Sequence, residues 1–285
     1  LRGYSPSIEA APSSLADSPR KRRRHDRWLF VQIADADLRT ESCPVMETTL
    51  HQQLKAHYAA AASDREVRVG RYRIDAVQGG RLIEIQLASL SGIRDKVTAL
   101  LRDHDVTVVK PVIRRRFLVR RASDQGPVVD ARWSPKRGNL LDVFHELLYF
   151  TRVFPHPRLK VEVPILDLEE DRVPCSRRRR RRWTVAYRVR DQRLREWFPG
   201  ETLEFAHDLW RILPDKPAIP FDTHCLANAL QIERWFAQRI AYCMRHCGAI
   251  IPLGKQGRSW LYEVAPTRDH GSPTTRGSRR RTAVA

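Results

Sequence analysis

The sequence predicts an α/β protein in which a mixed sheet is flanked by helices, followed by a smaller helical unit that ends in a hairpin. Three observations carry this. Between Met46 and Ile113 the apolar spacing switches from helical to alternating and back, giving helix, three strands, helix, strand in that order. Gly79-Gly80 separates two alternating runs and supplies the positive φ angles of a two-residue turn. Val106 to Ile113, VTVVKPVI, is a nearly continuous apolar run suited to a strand covered on both faces.

Residues 1–45 are rich in Pro, Ser and Ala, carry the basic run Arg20 to Arg24 and show no long amphipathic period, so they read as a disordered extension. The folded protein is expected to begin near Met46. Glu47 to Ala62 repeats Leu50, Leu54, His57 or Tyr58, and Ala61 at helical spacing. Glu66 to Gly70 is a short strand, and Arg71 to Leu87, RYRIDAVQGGRLIEIQL, is the hairpin. With the two glycines as the loop, Gln78 faces Arg81, Asp75 faces Glu84 and Arg73 faces Gln86. Alternation then makes Tyr72, Ile74, Ala76, Ile83, Ile85 and Leu87 one apolar face and gathers Asp75, Glu84 and Gln86 on the other.

Two carboxylates facing across neighbouring strands repel by up to about 1 kcal/mol. A cation is therefore expected between them: Arg73, Lys96, or a divalent metal, which two carboxylates with water and phosphate oxygens can hold. The alternative is a solvated strand face with a local ion pair.

Ser89 to Asp105 follows as a helix with an apolar stripe of Ile93, Val97, Leu100 and Leu101. An Asp on one strand, Glu-x-Gln on the next, a helix with Glu47 before them and a helix and strand after them resemble the PD-(D/E)XK, or restriction endonuclease-like, nuclease superfamily. The resemblance covers Met46 to Ile113, and Gln86 stands where that family most often has lysine. It implies Asp75 and Glu84 as ligands of Mg²⁺ or Mn²⁺, with Gln86 orienting water. Glu47 would add a third carboxylate or act only at the helix dipole. Lys96 would reach the scissile phosphate in place of the motif lysine, or snorkel to solvent. His51 is read as structural.

Arg114, Arg115, Arg116, Arg120 and Arg121 bracket the next strand, Asn139 to Val153 reads as helix, and Leu159 to Glu170 reads as a strand with Pro164 at an edge or bulge. Its acids Glu162, Asp167, Glu169 and Glu170 could form a second metal cluster, but an exposed charged strand explains them at lower cost and is expected. These elements complete a domain spanning residues 46–175. Six arginines, Arg177 to Arg182, then mark a linker over residues 176–200, because so dense a like-charge block lies in solvent or on a polyanion. Arg177, Arg178, Arg179 and Arg180 are its phosphate-contact candidates.

Residues 201–265 form the second unit, with helices over Thr202 to Leu213, Asp222 to Leu230 and Glu233 to His246. Strands over Ala249 to Leu253 and Ser259 to Val264 close it. Three helices and a hairpin, GAIIPLGKQGRSWLYEV, resemble a winged-helix domain. That implies DNA contacts from Arg234, Gln238, Arg239, Arg245, Lys255 and Arg258, or else a helical unit used for protein contact. Residues 266–285 are a basic tail. Cys243, His246, Cys247, His224 and Cys225 lack the spacing of paired zinc knuckles.

A formal charge of +19 in 285 residues favours a polyanionic partner, here double-stranded DNA. No apolar run is long enough to cross a bilayer, and five cysteines without a regular framework suit a reducing compartment, so a cytoplasmic protein is expected. The sequence reading is a DNA-binding, metal-dependent nuclease, or alternatively a non-catalytic nucleic-acid-binding protein on the same scaffold.

Overall fold

A computed structural model describes residues 47–179 and 182–266, excepting the side chains of 176–186, all within the unit that follows Val45. The expected extension with Arg20 to Arg24, Met46, Arg180 and the tail beyond residue 266 lie outside the described residues.

Turn chemistry and alternation build the first strands. β1 (Arg65–Val69), β2 (Tyr72–Gln78) and β3 (Arg81–Ile85) form an antiparallel meander. Gly79 and Gly80 adopt φ of 56° and 78°, and Gln78 pairs with Arg81 as the turn requires. The chain then crosses through a 3₁₀ turn and α2 (Arg94–Leu100), burying Ile93, Val97 and Leu100, and returns as β4 (Val106–Val109) parallel to β3. A parallel return needs such a crossover. With α1 (Thr49–Tyr58) ahead of them, these elements reproduce the expected order of helix, three strands, helix and strand.

Lys110-Pro111 interrupts the next strand without changing its neighbour. β4 and β5 (Val112–Arg121) run in succession along one edge of β7 (Leu159–Arg179), with Val109 opposite Glu162 and Val112 opposite Ile165. β6 (Val128–Trp133) pairs antiparallel on β5, and β8 (Arg182–Leu203) covers the other edge of β7. Pro164 therefore sits in a central strand at a bulge, where the β7–β8 register shifts between Val163 and Ile165. Gly200 lies across that bulge, and a β-carbon there would fall 1.8 Å from the Val163 carbonyl oxygen.

Two apolar clusters cover the sheet. Leu50, Leu54 and Tyr58 of α1 pack on Ala76, Ile83, Ile85, Val109, Leu166 and Leu168. The larger cluster joins Ile74, Leu82, Val106 and Val108 to α2 and α3 (Val143–Leu147). It also takes in Leu226 and Leu230 of α4 (Thr223–Leu230) and Phe236, Ile240 and Met244 of α5 (Arg234–Cys247). β9 (Ile250–Gln256) and β10 (Ser259–Val264) form a separate hairpin whose Ile250 and Tyr262 join that cluster.

Several expectations are corrected. Residues 176–200 are no linker: they belong to β7 and β8, and beyond Arg172 the two strands continue alone as a ribbon, with Arg177 opposite Thr184 and Arg179 opposite Arg182. Arg177, Arg178, Arg179 and Arg182 are thus paired into a sheet that a charge count alone does not reveal. Residues 46–175 and 201–265 share one core, since the larger cluster runs from Ile74 to Tyr262. Thr202 to Leu213 is the end of β8 followed by a 3₁₀ turn (Ala206–Trp210), leaving two helices and a hairpin where three helices were expected. The turn replaces a helix because the Asp208 carboxylate accepts the Glu204 and Phe205 N–H groups at 2.8 and 2.7 Å.

The exposed acidic strand is also corrected. Asp167, Glu170 and Asp171 are buried in the middle of the sheet, where each needs a cation. Arg114 binds Asp167 through Nε at 2.9 Å and an Nη at 2.7 Å, Arg121 binds Asp171 at 2.9 Å, and Arg172 binds Glu170 at 2.6 Å. Much of the basic charge on β5 is thus committed to internal partners.

Candidate functional site

The predicted apolar face of the hairpin breaks at Asp75. Tyr72 and Ile74 pack into the larger cluster, whereas Ala76, Ile83, Ile85 and Leu87 pack on the α1 side. The β2–β3 ladder ends at Ala76–Ile83, and beyond it the Asp75 carboxylate accepts the Ile85 N–H at 2.8 Å in place of a backbone partner. Across the other edge the β1–β2 register places Glu66 opposite Asp75, and Glu66 holds φ of 56°. A positive φ at a non-glycine residue costs about 1–3 kcal/mol and persists only where surroundings over-determine it. Backbone distortion and charge therefore coincide at this point.

α1 supplies one side of the charged group. Thr48 caps the helix by accepting the His51 N–H at 3.4 Å, and Glu47 lies one residue outside, so the helix-capping role considered for Glu47 falls to Thr48. Glu47, His51 and Lys55 follow at four-residue spacing and face β2. The Lys55 ammonium lies 2.7 Å from Glu47, 3.0 Å from Glu66 and 3.3 Å from Asp75. His51 bridges Glu47 at 2.9 Å and Asp75 at 3.4 Å. α2 supplies the other side: Lys96 Nζ donates to both Glu84 carboxylate oxygens at 2.6 Å and to the Arg73 carbonyl at 2.5 Å. The cation expected between the strands is thus two lysines, Lys96 on Glu84 and Lys55 on Asp75. Arg73 turns away to pair with Glu66.

The electrostatics follow from this packing. Burial would raise the Asp75 pKa, but hydrogen bonds from His51 and the Ile85 N–H, with the charges of His51 and Lys55, lower it overall. Burial raises Glu84; Lys96 opposes the rise and the negative charge of Asp75 adds to it, so the two acids feel each other. Burial would lower Lys55, but Glu47, Glu66 and Asp75 outweigh it and raise its pKa. Gln86, expected beside the acids, donates its side-chain amide to the Ser89 carbonyl at 2.7 Å. Among the described residues no group of three or more His, Cys, Asp or Glu side chains is arranged to hold a metal ion.

Sequence reasoning found Asp75, Glu84, Lys96 and Glu47 but not Lys55 or Glu66. The signal for Lys55 was available, because Glu47, His51 and Lys55 form a polar stripe on an otherwise apolar-faced helix.

The candidate nucleic-acid residues fall in two places. Arg177, Arg178 and Arg179 lie on the β7–β8 ribbon. On α5 and the hairpin, Arg234, Gln238, Arg245 and Arg258 line one cleft, while Arg239 stands apart against His145 at 2.5 Å and Lys255 lies 5.3 Å from the Trp260 ring centroid. Cys243 and Cys247 are buried core residues, and Cys243 Sγ donates to the Phe144 carbonyl at 3.6 Å.

These features define a mixed α/β protein with a charged centre where β2 and β3 part. By sequence the chain belongs to the family described as Domain of unknown function (DUF8091), whose model matches residues 48–204, more than half of the chain. The matched span runs from α1 through β8 and holds His51, Lys55, Glu66, Asp75, Glu84 and Lys96. A protein of Treponema pallidum (strain Nichols), described as "Uncharacterized protein", is 29% identical over 229 residues, covering 80% of this chain and 89% of the relative. No solved structure matches the chain. No helix among the described residues is long and apolar enough to cross a membrane.

Proposed function

We propose that the protein is a nucleic-acid phosphodiesterase, acting on DNA, whose Asp75 and Glu84 take a divalent cation. One observation carries the reading: where β2 and β3 part, the largely buried Asp75 accepts the N–H of Ile85, the residue after Glu84, and the buried Glu84 is reached by a lysine from the following helix. The order of helix, three strands, helix and parallel strand around it supports the same resemblance to PD-(D/E)XK nucleases. Asp75 and Glu84 are hard oxygen donors of the kind Mg²⁺ or Mn²⁺ takes, and two of them suffice when water and phosphate oxygens complete the shell. Such an ion polarises a phosphoryl oxygen and lowers the pKa of bound water. Lys96 would exchange part of its contact with Glu84 for a phosphate oxygen and offset developing charge there. The β7–β8 ribbon supports duplex DNA as the partner, because a two-stranded ribbon fits the major groove and this one has arginine at Arg177, Arg178 and Arg179.

A second reading is favoured by the lysines themselves. Lys55 and Lys96 already neutralise Asp75 and Glu84, which suits a non-catalytic nucleic-acid-binding protein that keeps the charged centre as scaffold. Cleavage of plasmid and of single-stranded, duplex and branched oligonucleotides, in Mg²⁺, Mn²⁺ or EDTA, separates the two. The nuclease reading expects cleavage in metal, at least a hundredfold loss in Asp75→Asn and Glu84→Gln, and DNA binding retained in both. Absence of cleavage on every substrate in either metal selects the second reading.

A further inference from the structure

The arginines of α5 and the terminal hairpin differ from those of the sheet. Arg114, Arg121 and Arg172 are committed to buried acids, but among the described residues no carboxylate lies within ion-pair distance of Arg234, Arg245 or Arg258. All three line one cleft of about 270 Å³ between α5 and β10, with Gln238, Tyr242 and Trp260, and among the described residues no acid lines it. Asp222, at the start of α4, is engaged instead by the His224 and Cys225 N–H groups. Three exposed arginines on one cleft, free of carboxylate partners among the described residues, are available to an anion from outside, and their planar guanidinium forks match phosphate oxygens.

Aromatic surface accompanies the charge. Trp260 and Tyr242 are exposed rings on the cleft, and Tyr242 already stacks on His246 with centroids 3.9 Å apart at 26°. A planar ring entering the cleft would extend that stack or lie on Trp260. Free phosphate would satisfy the arginines and leave these faces unused. Duplex DNA keeps its base faces stacked internally, so it offers phosphate and no ring; an unpaired strand offers both. Ligand pockets run from about 300 to 1,000 Å³, so this cleft suits a single nucleotide unit and is too small for a dinucleotide cofactor.

We propose that the cleft binds one nucleotide of an unpaired nucleic-acid strand, with its phosphate on Arg234, Arg245 and Arg258 and its base against Tyr242 or Trp260. Its residues are distinct from those around Asp75, and binding there needs neither metal nor cleavage, so the inference goes beyond the phosphodiesterase reading and is tested apart from it.

The test uses the full chain in EDTA, with fluorescence anisotropy of a labelled oligothymidylate, an RNA strand of equal length and a duplex of equal length. Trp260→Ala, Arg258→Ala, Arg245→Ala and the remote exposed Arg65→Ala are compared, and circular dichroism checks that each retains its fold. Trp260→Ala is expected to weaken single-strand binding about 5- to 100-fold with duplex binding changed less than twofold, since stacking is lost only where bases are free. Arg258→Ala and Arg245→Ala are each expected to lower the slope of log K against log salt by about 0.7, one phosphate contact on a single strand. Arg65→Ala is expected to match wild type, and Trp260→Phe to restore most of the binding. Single-strand binding that is absent, that changes less than twofold in all three cleft variants, or that falls equally with duplex binding overturns the proposal. DNA and RNA strands of equal affinity assign the cleft to phosphate and base alone; a preference for one adds recognition of the sugar.

Discussion

Replacing Lys96 by methionine tests whether the charged centre depends on the ion pair at Glu84. The substitution keeps the length of the apolar stem and removes the ammonium, which makes two contacts of 2.6 Å to the carboxylate and one of 2.5 Å to the Arg73 carbonyl. Breaking a buried pair by deleting one partner costs about 3–5 kcal/mol, because an uncompensated charge stays behind, while exposed pairs contribute about 0–1 kcal/mol. Glu84 is 9% exposed and Lys96 20%, so the lower end of the buried range applies, about 3 kcal/mol. For a chain of this size that lowers Tm by about 6–12 °C.

The loss depends on pH in a defined direction. The folded pKa of Glu84 lies above its ordinary value, burial being the largest cause, so the folded state holds the Glu84 proton more tightly than the unfolded chain. Stability from this group is greatest below the unfolded carboxylate pKa and declines as pH rises through the raised folded value. Without Lys96 that value rises further. The deficit of Lys96→Met is therefore expected to be largest at pH 8 and to shrink toward pH 5, and the double variant Lys96→Met with Glu84→Gln is expected to recover most of it. Thermal melts by circular dichroism at pH 5, 7 and 8 measure this. A drop below about 2 °C at pH 8, or a drop of equal size at both ends of the range, would refute the reasoning.

Gly200→Ala puts a β-carbon against the Val163 carbonyl oxygen at the Pro164 bulge, where neither backbone can yield without breaking the β7–β8 register. Urea unfolding is expected to show a loss of about 3 kcal/mol or more, and an unchanged midpoint would show that the bulge relaxes freely. Asp222→Ala removes the α4 cap, in which one carboxylate oxygen accepts the His224 N–H at 2.9 Å and the Cys225 N–H at 2.8 Å, and should cost about 1 kcal/mol at pH 7. Burial would raise the Asp222 pKa, but the bonds from Cys225, Ser259 and His224 lower it. Its contribution is thus present above the unfolded carboxylate value and fades as pH falls through the lower folded one. The melts of wild type and Asp222→Ala should converge in acid, and a difference independent of pH would exclude the carboxylate as its source.

The sequence by itself determined the local elements of the first half. The double glycine set the hairpin register, helical spacing named Leu50, Leu54, Val97 and Leu100 as core, and the apolar run at Val106 announced a strand buried on both faces. These depend on near neighbours and on periodicity, which a linear chain displays. The same count from the turn named Asp75 and Glu84, but the pairing stops at Ala76–Ile83, and packing sets Asp75 against Lys55 of α1 and Glu84 against Lys96 of α2. Only the tertiary structure decided where charge goes. The sequence showed only arginines at both ends of β5, yet Arg114 and Arg121 pair with acids about fifty positions later because β7 lies beside β5. The arginine block read as a boundary, yet Arg177, Arg178, Arg179 and Arg182 lie on a ribbon because β7 and β8 pair from Val161–Leu203 to Arg179–Arg182. Lys55 entered the charged centre because α1 packs across β2, and Arg234, Arg245 and Arg258 share a cleft because β10 folds back beside α5. Alternation and turn type act within a few residues, while the partner of a charge is set by whichever strand or helix packing brings alongside it.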